Sequence, residues 1–299
     1  MSGSVDLFFD GRERRDFEYN ARNTVPDFTV FTRQYTALTA AAKGKLGGHF
    51  DLAYDAASRQ TLDLVTGPAG DHPKPVLVFI HGGYWRGLSK HEAAPMAEAF
   101  VKAGVAVAAV DYGLAPATSL AEIVRQNRAA VAWLYHHAGD YGLDPRRIHV
   151  AGSSAGGHLV GMLLAPGWHA GFGVPQDVIR GATTLSGLFD LQPLVASHIN
   201  EWLRLGLPEA RALSPLWNLP AGGCPLLLAV GALETQGFQR QTAAYAQAWR
   251  EAVGPADVMT VPERHHFDIV LDLADENSAL ARAVLSQIHG TAVMTRTPS

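Results

Sequence analysis

The sequence predicts a doubly wound α/β fold, with a mostly parallel central sheet, an antiparallel N-terminal edge and helices on both faces. Three observations support this prediction. Short apolar runs that end in glycine or a polar residue recur along the chain, as in strands buried on both faces of a parallel sheet. Segments with helical periodicity lie between these runs. Two segments of alternating apolar and polar residues precede them all.

The predicted strands begin near residue 48. Residues 49–55 and 60–67 alternate apolar and polar side chains, which indicates a pair of half-exposed antiparallel strands. The apolar runs that follow are mostly continuous and predict the parallel strands. They cover residues 75–83, 105–113, 147–154, 181–187, 225–232 and 256–262.

The segments between the strands predict helices. One covers residues 90–104 and ends at a glycine, as helices commonly do. The next begins after Ser119, with Glu122 three residues further on, which is the pattern of a capping box. Further helices are expected at 156–165, 238–253 and 277–290.

No linker or sharp change of composition divides the 299 residues. We therefore expect a single α/β domain over residues 41–290. Residues 1–40 are polar with interspersed aromatic residues and are expected to form an N-terminal arm that packs on this domain. Residues 291–299 are expected to be frayed.

The composition excludes several classes of protein. The 24 basic and 28 acidic residues give a formal net charge of −4, with no basic stripe, so no nucleic-acid partner is expected. The first residues are too charged for a signal peptide, and the longest apolar runs fall far short of the ~20 residues that span a bilayer. Cys224, the only cysteine, excludes an internal disulfide and a cysteine-rich metal site. We expect a cytoplasmic protein without membrane contact.

The segment "AGSSAGG" contains a candidate nucleophile. Ser154 lies between Gly152 and Gly156 in a G-x-S-x-G pattern, after a predicted strand and before a predicted helix. A nucleophilic serine on a strained strand-to-helix turn requires this context, because side chains at the two glycines would collide there. Ser153 lacks the flanking glycines, so Ser154 is the candidate. A glycine-rich loop without catalytic function remains the alternative.

A glycine pair follows the first parallel strand, in "HGGYW". Acyl transfer places negative charge on a carbonyl oxygen, and backbone N–H groups stabilise it. We assign the N–H groups of Gly82 and Gly83 to this oxyanion hole, with a further one from Ala155. His81 is expected to orient the loop by hydrogen bonding rather than to act as a base.

Chain order selects the other catalytic candidates among 13 histidines. In this type of fold the acid follows the serine and the histidine follows the acid. His265 and His266 follow the last predicted strand, and His266 is preferred because an apolar segment after it suggests an anchored ring. Glu234 is the first carboxylate after the run 225–232 and is the candidate acid. An exposed loop glutamate is the alternative.

These residues resemble the arylformamidase, or kynurenine formamidase, branch of the α/β-hydrolase superfamily, near the hormone-sensitive-lipase-like esterases. The similarity covers most of residues 17–270, including "HGGYW", "DYGLAP", "GSSAGGH", "ETQGFQRQ" and "HHFDIV". It implies the α/β-hydrolase fold and a serine hydrolase that forms an acyl-enzyme on a small ester or amide, with no metal or organic cofactor. Family members with kynurenine activity commonly have Asp where this chain has Glu234. This difference weakens the inference from the family's substrate to the exact substrate of this chain.

Three aromatic residues are candidates for the substrate pocket. Tyr84 and Trp85 follow the glycine pair, and Tyr19 comes from the arm. Burial in the core is the alternative for each of them. Residues 188–206 are apolar but irregular, and they predict either a lid over the site or a segment packed on the sheet.

Two further questions stay open at the level of sequence. The exposed aromatic residues expected in the arm suggest a homodimer, although a packed arm gives the same pattern. A non-catalytic small-molecule binding protein of the same fold is the alternative to an enzyme. The presence of a serine, an acid and a histidine in order favours the enzyme.

Overall fold

An eight-stranded sheet forms the centre of the protein in a computed structural model that describes residues 7–290. Its order is β1-β2-β4-β3-β5-β6-β7-β8. The strands are β1 (Gly48–Asp55), β2 (Gln60–Val65), β3 (Lys74–Ile80), β4 (Ala106–Val110), β5 (Leu143–Ser153), β6 (Ile179–Leu185), β7 (Leu226–Gly231) and β8 (Ala256–Val261).

The pairing confirms the predicted fold class. Strand β2 is antiparallel to both β1 and β4, and every other pair in the sheet is parallel. Val78 on β3 lies between Ala108 on β4 and Val150 on β5, in register with both. The carboxyl ends of the parallel strands therefore lie along one edge of the sheet, where ligands bind in folds of this type.

Helices cover both faces of the sheet. They are α1 (Arg12–Glu18), α2 (Thr29–Leu46), α3 (Ala97–Lys102), α4 (Leu120–His137), α5 (Ala155–Leu164), α6 (Asn200–Leu203), α7 (Leu207–Ala212), α8 (Gln236–Ala252) and α9 (Ala279–His289). Within residues 7–290, no helix combines the length and the apolar character that crossing a membrane requires.

The alternation of side chains along each strand divides the core into two layers. On β3, Val76, Val78 and Ile80 belong to the layer that contains residues of α4, α5 and α8. Leu77 and Phe79 point to the opposite face and belong to the layer that contains residues of α2, α3 and α9. A strand that is apolar on both faces is required by this arrangement, which explains the continuous apolar runs in the sequence.

Two local predictions differ from the structure. The helix expected over 90–104 is broken into a short 3₁₀ helix, Lys90–Glu92, and α3. Pro95 lies between them and cannot donate a backbone hydrogen bond to continue the helix. At the start of α4, the Ser119 side chain accepts from the backbone N–H of Glu122. The Glu122 carboxylate binds Arg125 instead of completing the capping box.

The N-terminal residues that the structure describes pack on the domain. Glu18 accepts a hydrogen bond from the backbone N–H of Gly237 at 3.0 Å, and the hydroxyl of Thr235 donates to its backbone oxygen at 2.5 Å. Helix α2 ends at Leu46 and so crosses the division placed at residue 40. The frayed tail, residues 291–299, lies outside the described residues. The partition into an arm and one domain stays a prediction.

Candidate active site

Ser154 lies in the sharp turn between β5 and α5. Its backbone φ is 57° and its ψ is −116°, a region that residues other than glycine rarely adopt. A Cβ at Gly152 would collide with the backbone of Gly156, and one at Gly156 would collide with the carbonyl oxygen of Ile80. The two glycines therefore let the turn bring Ser154 close against the neighbouring strand. The Ser154 N–H donates to the Leu185 oxygen at 2.7 Å, which holds the turn on β6.

His266 and Glu234 form a buried pair at the same end of the sheet. Nδ1 of His266 lies 2.6 Å from Oε2 of Glu234. The other carboxylate oxygen, Oε1, accepts from the Ser186 hydroxyl and, at 2.8 Å, from the Gly231 N–H. Both carboxylate oxygens are thus held, and the imidazole Nδ1 must carry the proton that binds Oε2. The ring centres of Phe238 and His266 lie 4.3 Å apart, so Phe238 also contacts the imidazole.

The neighbouring histidine has a different environment. Nδ1 of His265 accepts from the backbone N–H groups of Phe267 and Asp268, at 3.1 and 3.3 Å. Burial lowers the pKa of His265, which favours the neutral ring that can accept these bonds. The His265 ring also packs edge-on against Phe31, 4.7 Å away. It supports the loop that carries His266 and does not reach Glu234.

The glycine loop after β3 passes directly beside the serine turn. A Cβ at Gly82 would lie 2.9 Å from the Ser153 oxygen and 3.2 Å from the Ser154 Cβ, so only glycine permits this approach. Gly83 has a φ of 90°. The His81 Nδ1 donates to the Gly82 oxygen at 3.0 Å, its ring stacks on Tyr112, and its Nε2 lies 3.8 Å from a carboxylate oxygen of Asp111. Ala155 follows the serine as the first residue of α5.

A cavity of about 600 Å³ brings these groups together, which is within the usual range of ~300–1,000 Å³ for small-molecule sites. Its walls come from the glycine loop, the serine turn, the histidine loop, the N-terminal segment and the segment before α6. The lining residues include Ser154, His266, Gly82, Gly83, Tyr84, Arg22, Phe28, Arg86, Glu92, Glu201, Trp202 and Phe267.

The structure separates the three aromatic pocket candidates. Tyr84 lines the cavity. Trp85 is fully buried and donates from Nε1 to Nδ1 of His158, at 3.2 Å. Tyr19 is also fully buried, and its hydroxyl donates to the Leu7 oxygen at 2.9 Å. The prediction that Trp85 and Tyr19 line the pocket is wrong, because packing and hydrogen bonds hold both side chains in the core.

Residues 188–206 pack on the body and also contribute to the cavity wall. Leu188, Phe189 and Leu194 are buried in the core, while the Trp202 indole lines the cavity and donates from Nε1 to the Tyr84 oxygen at 3.0 Å. The segment is therefore packed on the body and also forms one wall of the site. Its action as a lid stays a prediction.

Ser186, the hydroxyl donor to Glu234, is not among the site residues predicted from the sequence. Ser186 follows β6 with a φ of 53°, and its N–H donates to the Ala229 oxygen of the neighbouring strand at 2.8 Å. A polar residue at the carboxyl end of a buried strand, next to the strand that leads to the acid, is the signal that points to it.

Comparison with known proteins places the chain in a family. A family model described as BD-FAE matches residues 62–167. A kynurenine formamidase of Danio rerio is 31% identical over 245 residues, which cover 80% of this chain and 81% of that protein. A kynurenine formamidase of Salmo salar is 30% identical and covers 96% of this chain and 99% of its own length.

Solved structures agree with this placement. A structure titled as a putative thioesterase from Silicibacter sp. has a TM-score of 0.77 and 30% identity, covering 91% of this chain and 98% of its own. An esterase from Pyrobaculum calidifontis has a TM-score of 0.69 at 16% identity, covering 89% of this chain and 94% of its own, and shows the shared fold. The fold, the site's position in it and these relatives together confirm the resemblance, and the chain belongs to the kynurenine formamidase family of α/β-hydrolases.

Proposed function

We propose that this hydrolase acts through an acyl-enzyme on Ser154, with His266 as the general base, Glu234 as the acid that orients it, and Gly82, Gly83 and Ala155 as the oxyanion hole. The observation that carries the proposal is the 2.6 Å bond between His266 and Glu234, in a cavity that Ser154 also lines. A histidine held at Nδ1 by a carboxylate has its Nε2 unprotonated and ready to accept a proton from a hydroxyl.

The reaction has two halves. His266 Nε2 takes the Ser154 proton while Oγ attacks the acyl carbon, and the negative carbonyl oxygen of the tetrahedral intermediate is stabilised by the backbone N–H groups. The bond to the leaving group breaks as His266 gives its proton to that group. Water then attacks the acyl-enzyme, with His266 taking its proton. The acid product leaves, and the Ser154 hydroxyl is restored.

We infer that the substrate is an aryl formamide of the N-formylkynurenine type, or an aryl or short-chain ester. The kynurenine formamidases of two fish support the formamide. An esterase of Mycobacterium tuberculosis, 26% identical over 73% of this chain, supports the ester.

The test compares Ser154→Ala with Ser153→Ala, a matched control on the neighbouring serine. Rates are measured on N-formylkynurenine, p-nitrophenyl acetate and p-nitrophenyl butyrate, and labelling is measured with a fluorophosphonate. We expect Ser154→Ala to lose labelling and about 10⁴-fold or more in kcat, and the control to keep both. If the wild-type protein is neither labelled nor active on any of these substrates, it is a binding protein and the proposal is wrong. Slow formamide turnover beside fast ester hydrolysis rejects the formamidase substrate only.

A further inference from the structure

Two arginine side chains lie exposed in the wall of the cavity. Arg22 comes from the N-terminal segment and Arg86 from the glycine loop. Neither guanidinium has a hydrogen bond or an ion pair with any other described residue. Each lies instead over an aromatic ring. Stacking uses the face of a guanidinium and leaves its in-plane N–H donors available.

Arg86 is coupled to the oxyanion loop. Its N–H donates to the Gly83 oxygen at 3.0 Å, which closes a tight turn. Its guanidinium carbon lies 4.2 Å from the centre of the Trp202 ring. Trp202 is bound in turn to the backbone of Tyr84. The Arg86 side chain is therefore held at a fixed position relative to the glycine loop.

Arg22 is connected to the loop that carries His266 through an aromatic contact. Its guanidinium carbon lies 4.3 Å from the centre of the Phe28 ring. Phe28 packs on Phe267 with ring centres 5.6 Å apart, and Phe267 is the residue after His266. The two arginines thus stack on aromatic residues that contact the glycine loop and the histidine loop, respectively.

The carboxylates of the same wall are already engaged. Glu201 accepts from Arg12 at 2.9 Å. Glu92 accepts from the N–H and hydroxyl of Ser89, at 2.9 and 3.0 Å, and from the hydroxyl of Thr36 at 3.0 Å. The wall therefore offers positive charge without a partner, on a protein whose formal net charge is −4. This local positive charge attracts an anionic group, whereas the negative net charge of the protein repels it.

We propose that Arg22 and Arg86 bind a carboxylate of the substrate, remote from the acyl group that is cleaved, and so select substrates with a carboxylate over those without one. The guanidinium donors suit a carboxylate, and bonds between such charged groups are stronger than neutral ones. This inference rests on the proposed function, because it assigns the substrate class for the same site. Arg22 and Arg86 would distinguish a formamide or ester that has a carboxylate from one that lacks it.

The first experiment compares two formamides. N-formylkynurenine has a carboxylate, and its decarboxylated analogue N-formylkynuramine differs only in lacking it. We expect a higher kcat/KM on N-formylkynurenine for the wild-type protein. Arg22→Gln and Arg86→Gln should each reduce this preference by about tenfold, mainly through KM, as expected for a lost bond to a charged group. A parallel ester pair, 4-acetoxybenzoate and 4-acetoxybenzamide, applies the same comparison to ester hydrolysis.

The second experiment measures binding without turnover. Calorimetry with the Ser154→Ala variant gives the Kd of both formamides, with and without Arg22→Gln or Arg86→Gln. Arg146→Gln is the matched control, because Arg146 is an exposed arginine near the start of β5, at the opposite end of that strand from the serine turn. The control should keep the preference for the carboxylate ligand, measured as the ratio of the two Kd values. Arg22→Gln and Arg86→Gln should each reduce this ratio by about tenfold.

The outcomes separate this inference from the proposed function. Tighter, arginine-dependent binding of the carboxylate ligand supports the inference even if the wild-type protein hydrolyses neither formamide, which would reject only the formamide substrate. The inference is overturned if the Ser154→Ala variant binds the two formamides equally or binds neither. It is also overturned if both arginine variants keep the full preference, or if Arg146→Gln loses as much of it.

Discussion

Two buried histidines, His266 and His158, show how the same side chain gains different properties from its partners. Both are almost completely shielded from solvent, with exposed fractions of 5% and 0%. His266 is bound by the Glu234 carboxylate at Nδ1. His158 accepts from the Trp85 indole at Nδ1 and donates from Nε2 to the Leu213 oxygen, at 3.2 and 2.7 Å. One ring has a charged partner, and the other has two neutral ones.

This difference determines whether the ring can take up a proton. A carboxylate stabilises the imidazolium that forms when His266 accepts a proton, so the pair suits a general base. Burial without a carboxylate lowers the pKa of His158 to about 4, so that ring stays neutral. His158 therefore serves as a cross-link between α5, the glycine loop and the segment after α7. A buried histidine is therefore a candidate base only where a carboxylate also binds the ring at hydrogen-bond distance, as Glu234 binds His266.

The largest expected effect comes from replacing each ring by an amide. His266→Gln should reduce kcat by about 10⁴-fold, because the base is lost. His158→Gln should reduce kcat by less than about tenfold but lower the free energy of unfolding by about 1–3 kcal/mol, the cost of a disrupted buried hydrogen bond. Steady-state kinetics and urea unfolding measure the two effects. Equal losses of kcat in the two variants would contradict the contrast between the histidines.

The next effect concerns the charge of the partner. Glu234→Gln keeps the size of the side chain but removes the negative charge and lets the amide donate, so the ring is held in the wrong tautomer. We expect kcat to fall by about 10³-fold. Glu234→Asp keeps the charge on a shorter side chain and should cost about tenfold. Measuring kcat for both variants tests the role of the charge, and a smaller loss for Gln than for Asp would argue against it.

A smaller effect is expected from Ser186, which positions the carboxylate through its hydroxyl. Ser186→Ala leaves Oε1 with the Gly231 N–H as its remaining donor, and kcat should fall by about tenfold with KM unchanged. Thr184→Val is a matched control, because its buried hydroxyl on the same strand has no hydrogen-bond partner among the described residues. A loss of the same size in the control would show that the effect is one of packing.

Sequence reasoning recovered the sheet because its strands are apolar on both faces. The run "PVLVFI" supplies side chains to two core layers. A short continuous apolar run of this kind is typical of a strand buried on both faces. The helix expected over 90–104 failed where Pro95 interrupts it, although the proline was visible in the sequence. Periodicity was given more weight there than the missing N–H.

Some residues of the candidate site could be predicted from local sequence patterns, and others depend on tertiary contacts. Chain order and the glycine pattern pointed to Ser154, Glu234 and His266, and the structure brings them to one end of the sheet. Ser186 has no local pattern, since its contact with the acid depends on how β6 pairs with β7. Trp85 is buried in the core, whereas Tyr84, its neighbour in the sequence, lines the cavity. Sequence alone does not give the direction of an aromatic side chain in a loop.

A change of pH tests the neutral partners of His158. Burial lowers the pKa of this ring from its ordinary value of 6.5 to about 4, so between these values the unfolded chain binds a proton that the folded protein does not. Stability is therefore highest above pH 6.5 and falls as the pH drops towards 4, by up to about 3 kcal/mol from this group. His149 has a similarly lowered pKa, about 4, and adds to the slope. Urea unfolding at pH 7.5 and pH 5 should show a smaller difference for His158→Gln than for the wild-type protein. An unchanged difference would mean that His158 is protonated in the fold, and the contrast with His266 would then lose its basis.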